Sequence, residues 1–226
     1  MPDREVAILM PGYNEAETIT EVVKSANYFG APLVVDDGSS DGTAELAQAA
    51  GAQVVRLSAN VGYEGAIEAG FEAADRAGFR FVITYDADGQ FEADALRVVR
   101  DILLQGRSRL VLGQRPNPAR VGEAMFNLYT RLRFGMTDIL CGLKGYDLAL
   151  YRWHGRFGSG RSVGTELALA ALRSGEPVET ISVSILPRRH GPSRFGGSLR
   201  ANGRLLVALA EALLTDVIGR KRKKPA

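Results

Sequence analysis

A chain of 226 residues is long enough for one substantial core, and 46% apolar with 24% charged residues is ordinary for a soluble globular protein. The net charge of +2 excludes a general nucleic-acid binder, and the single cysteine, Cys141, excludes a disulfide framework and fits a reducing compartment. The opening MPDREVAILMPGYNE lacks the basic-then-apolar pattern of a signal peptide, and no apolar run reaches the about 18 residues that a membrane span needs, so a cytoplasmic protein is expected.

In chain order, the first predicted strand is Val6 to Met10 (VAILM), followed by PGYNE and a helix over Glu17 to Tyr28. Leu33 to Val35 is the second strand, and DDGSSDGT leads from it into a helix over Asp41 to Ala50. Gln53 to Leu57 and Phe81 to Tyr85 are the third and fourth strands, with a helix over Glu64 to Ala77 between them. DADGQ and a helix over Glu92 to Gln105 follow, then a fifth strand, Leu110 to Leu112, which runs into GQR. These apolar, β-branched runs are those of strands covered on both faces. Alternation of strand and helix predicts a single α/β domain with a mostly parallel central sheet flanked by helices. In such a sheet ligands bind outside the carboxyl ends of the strands, where the polar motifs fall.

The second half is less regular. Gly122 to Met136 reads as a helix, TDILCGLKGYDLALYR (Thr137 to Arg152) shows no clean period, Thr165 to Ser174 reads as a helix, and Val178 to Ile185 as a strand. Pro187 to Gly197 is a basic, Gly-rich loop, and Leu199 to Ile218 is a last helix followed by the basic run Arg220 to Lys224.

Four motifs carry chemistry. Asp86 and Asp88 stand two apart at a strand end and project to one side, an oxygen-rich pocket of the kind Mg²⁺ or Mn²⁺ shares with substrate phosphates; the alternative is a turn with a helix cap. Asp36 and Asp37 close the second strand, where a carboxylate can accept from a base or ribose, and Ser40 or Asp41 can cap the next helix. Pro11, Tyr13 and Glu15 end the first strand, and Tyr13 either flanks a base or is an ordinary half-buried aromatic. Arg188, Arg189, His190 and Arg194 lie among glycines beside Ser193, and arginine forks suit phosphates; the alternative is a solvated loop. No Walker loop, GxGxxG or nucleophile elbow is present, which argues against ATP hydrolysis, dinucleotide redox chemistry and a serine triad.

The order and spacing of PGYNE, VVDDGSSDGT, NVGYEGAIEAGFEAA, YDADGQ, LGQR, TDILCGLKGYD, Glu166 and RRHGPSR resemble the family 2 glycosyltransferases of GT-A, Rossmann-like fold, above all the dolichol- or polyprenyl-phosphate mannose synthase branch. The resemblance implies a catalytic domain over residues 1–198, with an amphipathic helix and basic tail over 199–226. It places Pro11, Tyr13, Glu15, Asp37 and Asp86 around a GDP- or UDP-sugar, and Asp86, Asp88 and Gln90 on Mg²⁺ or Mn²⁺. It gives Arg115 and Arg188 the phosphates, including that of a lipid acceptor, and sets Ser193 and Arg194 on a closing loop. It also implies an inverting transfer. The family often has serine where Cys141 stands and lysine where Arg194 stands, and many members carry transmembrane helices after the catalytic domain.

A lipid phosphate is already ionised near neutral pH, so transfer to it needs no strong base; a hydroxyl acceptor would need one, with Asp138 and Glu166 as candidates. The last helix is apolar around most of its girth and ends in RKRKK, which reads either as a peripheral contact with the inner face of a membrane or as a packing helix or homodimer face. The rival readings are a soluble family 2 transferase acting on a saccharide or small hydroxyl acceptor, and a non-catalytic nucleotide-binding module.

Overall fold

The computed structural model describes residues 5–89, 93–116, 121–184 and 198–218. Its strands are β1 (Val6–Gly12), β2 (Ala31–Asp36), β3 (Gln53–Arg56), β4 (Phe81–Thr84), β5 (Leu110–Gln114), β6 (Lys144–Asp147) and β7 (Val178–Ser182). Its helices are α1 (Ile19–Ala26), α2 (Thr43–Ala49), α3 (Gly62–Arg76), α4 (Asp94–Leu104), α5 (Val121–Phe134), α6 (Leu148–His154), α7 (Glu166–Ser174) and α8 (Ser198–Ile218). The strands form one sheet in the order β3-β2-β1-β4-β6-β5-β7. β6 runs antiparallel to β4 and β5, and every other neighbouring pair is parallel.

Alternate residues of each strand feed two cores. Val6, Ile8 and Met10 of β1 pack with Val22 and Val23 of α1 and with Leu96 and Val99 of α4. Ala7 and Leu9 face the other way, toward Ile67 and Phe71 of α3 and Leu167 of α7. With both faces covered, a strand residue is buried whichever way it points, which is why the strands read as unbroken apolar runs. Each fully buried Leu or Ile contributes about 1.5–3 kcal/mol relative to exposure.

β6 and α6 occupy the segment without a sequence period. α6 is fixed at its start by Asp147, whose Oδ1 accepts from Ala149 N at 2.8 Å. α8 joins the α3 side of the sheet and buries Ala201, Leu205, Ala208 and Ala212. It runs parallel to α5: Gly122 N donates to Asn202 Oδ1 at 3.1 Å near the start of both helices, and Tyr129 OH donates to Asp216 Oδ2 at 2.9 Å further along.

The order β2-β1-β4 makes β1 the point where successive strands change sides. At that edge, outside the carboxyl ends of the strands, lie the loops after β1, β2, β4 and β5, where open α/β sheets form their ligand crevice.

Candidate active site

The loops after β1 and β2 are laced together by short polar side chains. Asn14, at φ +52°, donates its backbone N–H to Ser39 Oγ at 2.8 Å and accepts from Ser40 N at 2.9 Å. Thr43 Oγ1 accepts from Glu15 N at 2.8 Å, and Asp41 accepts from Ala16 N at 3.0 Å and from Thr43 N at 3.1 Å. Neither predicted cap is the N-cap of α2, which is Gly42 at φ +87°; Asp41 stands one residue before it and accepts from the N–H of Thr43, the first residue of the helix. Burial pushes the Asp41 carboxyl up, but the hydrogen bonds from Thr43 and Ala16 outweigh it and leave the group below the usual range. The lacing fixes the backbone that carries Pro11, Tyr13 and Glu15. Tyr13, 40% exposed, lies at the crevice surface.

Asp37 sits deeper. It is buried, and its carboxylate accepts from Val61 N at 2.7 Å and Gly62 N at 2.9 Å. Its backbone N–H donates to Gly12 O at 2.8 Å, which ties β2 to the end of β1. Those two amides open α3, and a carboxylate is favoured at a helix N-terminus. The sequence suggested a ligand for base or ribose; the first task of Asp37 is to anchor α3 across the mouth. Asp36 turns the other way, and its Oδ1 accepts from Ser39 N at 3.2 Å.

Asp86 and Asp88 follow β4, in a turn held by Thr18, whose hydroxyl donates to Ala87 O at 2.9 Å. Thr84 pairs with Lys144 across the β4–β6 ladder, and Gly142 lies opposite Asp86. A Cβ added to Gly142 would stand 2.7 Å from Asp86 Cγ, so only glycine leaves room for that carboxylate. Lys144 is buried, and its Nζ donates to Gly164 O at 2.9 Å. Burial pushes the Lys144 ammonium down to about 8, opposed by Cys141, Asp86 and Asp138. The Tyr63 hydroxyl is pushed well up by burial and by Asp86.

After β5, Arg115 meets Asp138. Arg115 N and Nε each donate to Asp138 Oδ2 at 2.8 Å, Nη2 donates to Oδ1 at 2.6 Å, and Glu123 Oε2 lies 3.5 Å from Nη2. Hydrogen bonding to Asp138 raises the Arg115 pKa against the effect of burial, so the guanidinium stays charged. Asp138 itself adopts φ +53°, a conformation held by Asn127 Oδ1, which accepts from Asp138 N at 3.1 Å. Glu166 opens α7 with its Oε1 2.7 Å from Arg156 Nε and 3.1 Å from His154 Nε2. Burial acts to raise its pKa, but His154, Arg156 and Ser159 together bring it down to about 2. Buried Cys141 has its thiol pushed up to about 12 by burial, as an inert packing residue would.

The sequence matches the Glycosyl transferase family 2 over residues 7–153. The chain is a family 2 glycosyltransferase. It is 30% identical to the glycosyltransferase AglJ of Haloferax volcanii over 223 residues, covering 93% of this chain and 73% of that protein. It is 27% identical to the polyprenol monophosphomannose synthase of Mycolicibacterium smegmatis, covering 87% of this chain and 83% of that protein. Among solved structures, glucosyl-3-phosphoglycerate synthase from Mycobacterium tuberculosis, crystallised with Mg²⁺ and uridine diphosphate, superposes with a TM-score of 0.74 at 21% identity, covering 94% of this chain and 79% of that one. The fold is GT-A, as the motif order suggested.

Within the glycosyltransferase crevice, the carboxylate pair suits a hard divalent cation. Its donors are carboxylate oxygens, and glycine at position 142 leaves room for the carboxylate of Asp86 itself. Among the described residues no group of three His, Cys, Asp or Glu side chains is placed to hold a metal. Gln90, Arg188, Ser193 and Arg194, also expected at this site, lie outside the described residues. The structure gathers Asp37, Asp86, Asp88, Arg115 and Asp138 at the ends of β2, β4 and β5. Glu166 stands apart, at the head of α7 with His154 and Arg156. Sequence reasoning did not single out Glu64, Glu123 or Lys144. The signal for Lys144 lay inside TDILCGLKGYD, a lysine between apolar residues and a glycine.

Proposed function

We propose that this transferase moves a sugar from a nucleotide diphosphate donor to a polyprenyl phosphate at a membrane surface. One observation carries the reading: both carboxylates that the sequence offered as a base are already engaged. Asp138 is clamped along the Arg115 fork, and Glu166, at about 2, is too weak a base to deprotonate a hydroxyl. A phosphate oxygen needs no deprotonation. It forms the bond to the anomeric carbon as the bond to the donor diphosphate breaks, the diphosphate keeps the electron pair, and inversion results. The similarity to a polyprenol monophosphomannose synthase supports the same acceptor class.

The chain's residues divide the work. Asp37 and the Asn14–Ser39 lacing hold the nucleotide crevice open. Asp86 and Asp88 are the residues to hold Mg²⁺ or Mn²⁺, which when bound stabilises charge on the leaving diphosphate as a Lewis acid. Arg115, its fork fixed by Asp138, is the residue to meet a phosphate. The test is transfer of labelled sugar to a short-chain polyprenyl phosphate in detergent, beside 3-phosphoglycerate and simple saccharides as hydroxyl acceptors. Metal-dependent transfer to the lipid phosphate is expected. Transfer to a hydroxyl acceptor alone would replace this reading with that of a soluble transferase, and donor binding without turnover would make the chain a binding module.

A further inference from the structure

Among the described residues Lys144 is the only buried lysine, and its hydrogen bond goes to a neutral partner, the Gly164 carbonyl. A buried ammonium is costly unless other charges offset it. The strand register shows where those charges are. Thr84 and Lys144 face each other across the β4–β6 ladder, and Gly142, two residues before Lys144, lies against the Asp86 carboxylate, two residues after Thr84. Residues two apart share a face, so the ammonium and the carboxylate are diagonal neighbours on the α3 side of the sheet. The far end of the side chain is pinned as well. Gly164 N donates to Glu64 Oε1 at 2.7 Å, the same oxygen accepts from Ser162, and Val163 is held at φ +50°, a conformation that a β-branched residue adopts only when its surroundings impose it. The β4–β6 register and the loop bound by Glu64 thus hold one cation beside Asp86.

We infer that Lys144 is a built-in counter-charge to Asp86, which leaves the carboxylate pair too weakly negative to retain a divalent cation alone, so that cation and nucleotide diphosphate bind together. The inference rests on the reading of Asp86 and Asp88 as the metal carboxylates. Lys144 acts through Asp86, and so is a positioning residue.

The test is calorimetric titration at pH 7 of the full chain and of Lys144→Gln and Lys144→Met with Mn²⁺ alone, uridine diphosphate alone, and both. Both variants remove the charge; glutamine keeps a donor for the Gly164 carbonyl and so guards against loss of fold, which thermal melting checks. Each variant is expected to bind Mn²⁺ alone about tenfold more tightly than the wild type, the size of effect a neighbouring unit charge has on a carboxylate. Each is expected to bind uridine diphosphate alone more weakly. These opposite signs are the signature, because a merely structural lysine would weaken both ligands on removal. Variants that bind Mn²⁺ alone no more tightly than a wild type that does bind Mn²⁺ with the nucleotide would overturn the inference and leave the metal site standing. A wild type that takes up no Mn²⁺ even with the nucleotide would overturn the metal site and the inference with it.

Discussion

Asp37, Asp138 and Glu166 are carboxylates engaged by backbone amides, an arginine fork, and an arginine with a histidine, and Asp86 stands against a glycine that makes room for it. Those partners could not be read from the sequence, where all of these residues are aspartates or glutamates next to apolar runs. They depend on which backbone amides and arginines the fold brings up, and they lie as far away as Val61 is from Asp37. For Glu166 the consequence is measurable. Its carboxyl is held at about 2 against an ordinary 4.5, so it contributes stability above pH 4.5 that is lost as the pH falls toward 2. The contribution is at most about 3 kcal/mol at 1.4 kcal/mol per pH unit. Glu166→Gln should therefore unfold more easily than the wild type at pH 6, with the gap closing by pH 2 in denaturant titrations at each pH. A gap that is constant with pH would show that the carboxylate charge is not what matters. Asp88→Asn should behave oppositely: melting unchanged and metal-dependent turnover lower by about a hundredfold or more, since the cation's charge stabilisation is worth several kcal/mol. Wild-type turnover by Asp88→Asn, or full activity in excess chelator, would remove the pair from the metal site.

The central strands were legible because they are buried on both faces, β3 and β7 were legible from their β-branched residues although they are half-buried or exposed, and β6 was not, because packing there demands small or polar residues. β1, β2, β4 and β5 announce themselves by unbroken apolar runs. β6 (KGYD) has a single large apolar residue, and each of its other positions answers to a neighbour. Gly145 faces α4, where an added Cβ would overlap Val99 and stand 3.0 Å from Leu103 Cδ1. Lys144 donates to the Gly164 carbonyl, and Asp147 caps α6. Gly145→Ala should therefore destabilise by about 1–3 kcal/mol through overpacking, with partial rescue by Val99→Ala. Unchanged melting would mean that α4 is free to move away from the sheet. Tyr146 points into the α3 core, stacked edge-on against Phe71 at 5.4 Å between ring centroids, and among the described residues its buried hydroxyl has no hydrogen-bond partner. Tyr146→Phe should keep the packing, remove an unsatisfied group and stabilise by about 1 kcal/mol. A loss of stability instead would show that the hydroxyl does have a partner.

At the scale of the whole molecule, the sheet side that holds α5 and α8 is unlike the rest of the surface. Val121, Met125, Leu128 and Leu132 form an exposed stripe along α5, and Leu206, Leu213 and Val217 form one along α8. Between the helices runs a groove of about 580 Å³ lined by Met125, Leu128, Leu132, Leu209 and Leu213. Exposed apolar area of this extent marks an interaction surface. The sequence pointed to α8 alone; that α5 supplies the other half follows from their parallel packing, which no local pattern reports. Arg131 and Arg133 lie in the last turn of α5, Arg133 Nε 3.3 Å from Asp216 Oδ2 of α8, and after α8 the sequence continues as GRKRKK. An apolar face with a basic end fits the surface of an anionic bilayer, each Lys or Arg there being worth about 1 kcal/mol. Among the described residues no helix is long and apolar enough to cross a membrane, so contact through this part of the chain would be peripheral. The protein should then co-sediment with vesicles containing anionic phospholipid, less so with neutral vesicles, and less as salt screens the basic end. Leu132→Glu combined with Val217→Glu should abolish sedimentation while leaving uridine diphosphate binding intact, because both side chains point away from the crevice and are more than three-quarters exposed, at 78% and 85%. A wild type that ignores anionic vesicles but forms a dimer that the same two substitutions break would assign the face to a second copy of the chain and end the membrane proposal.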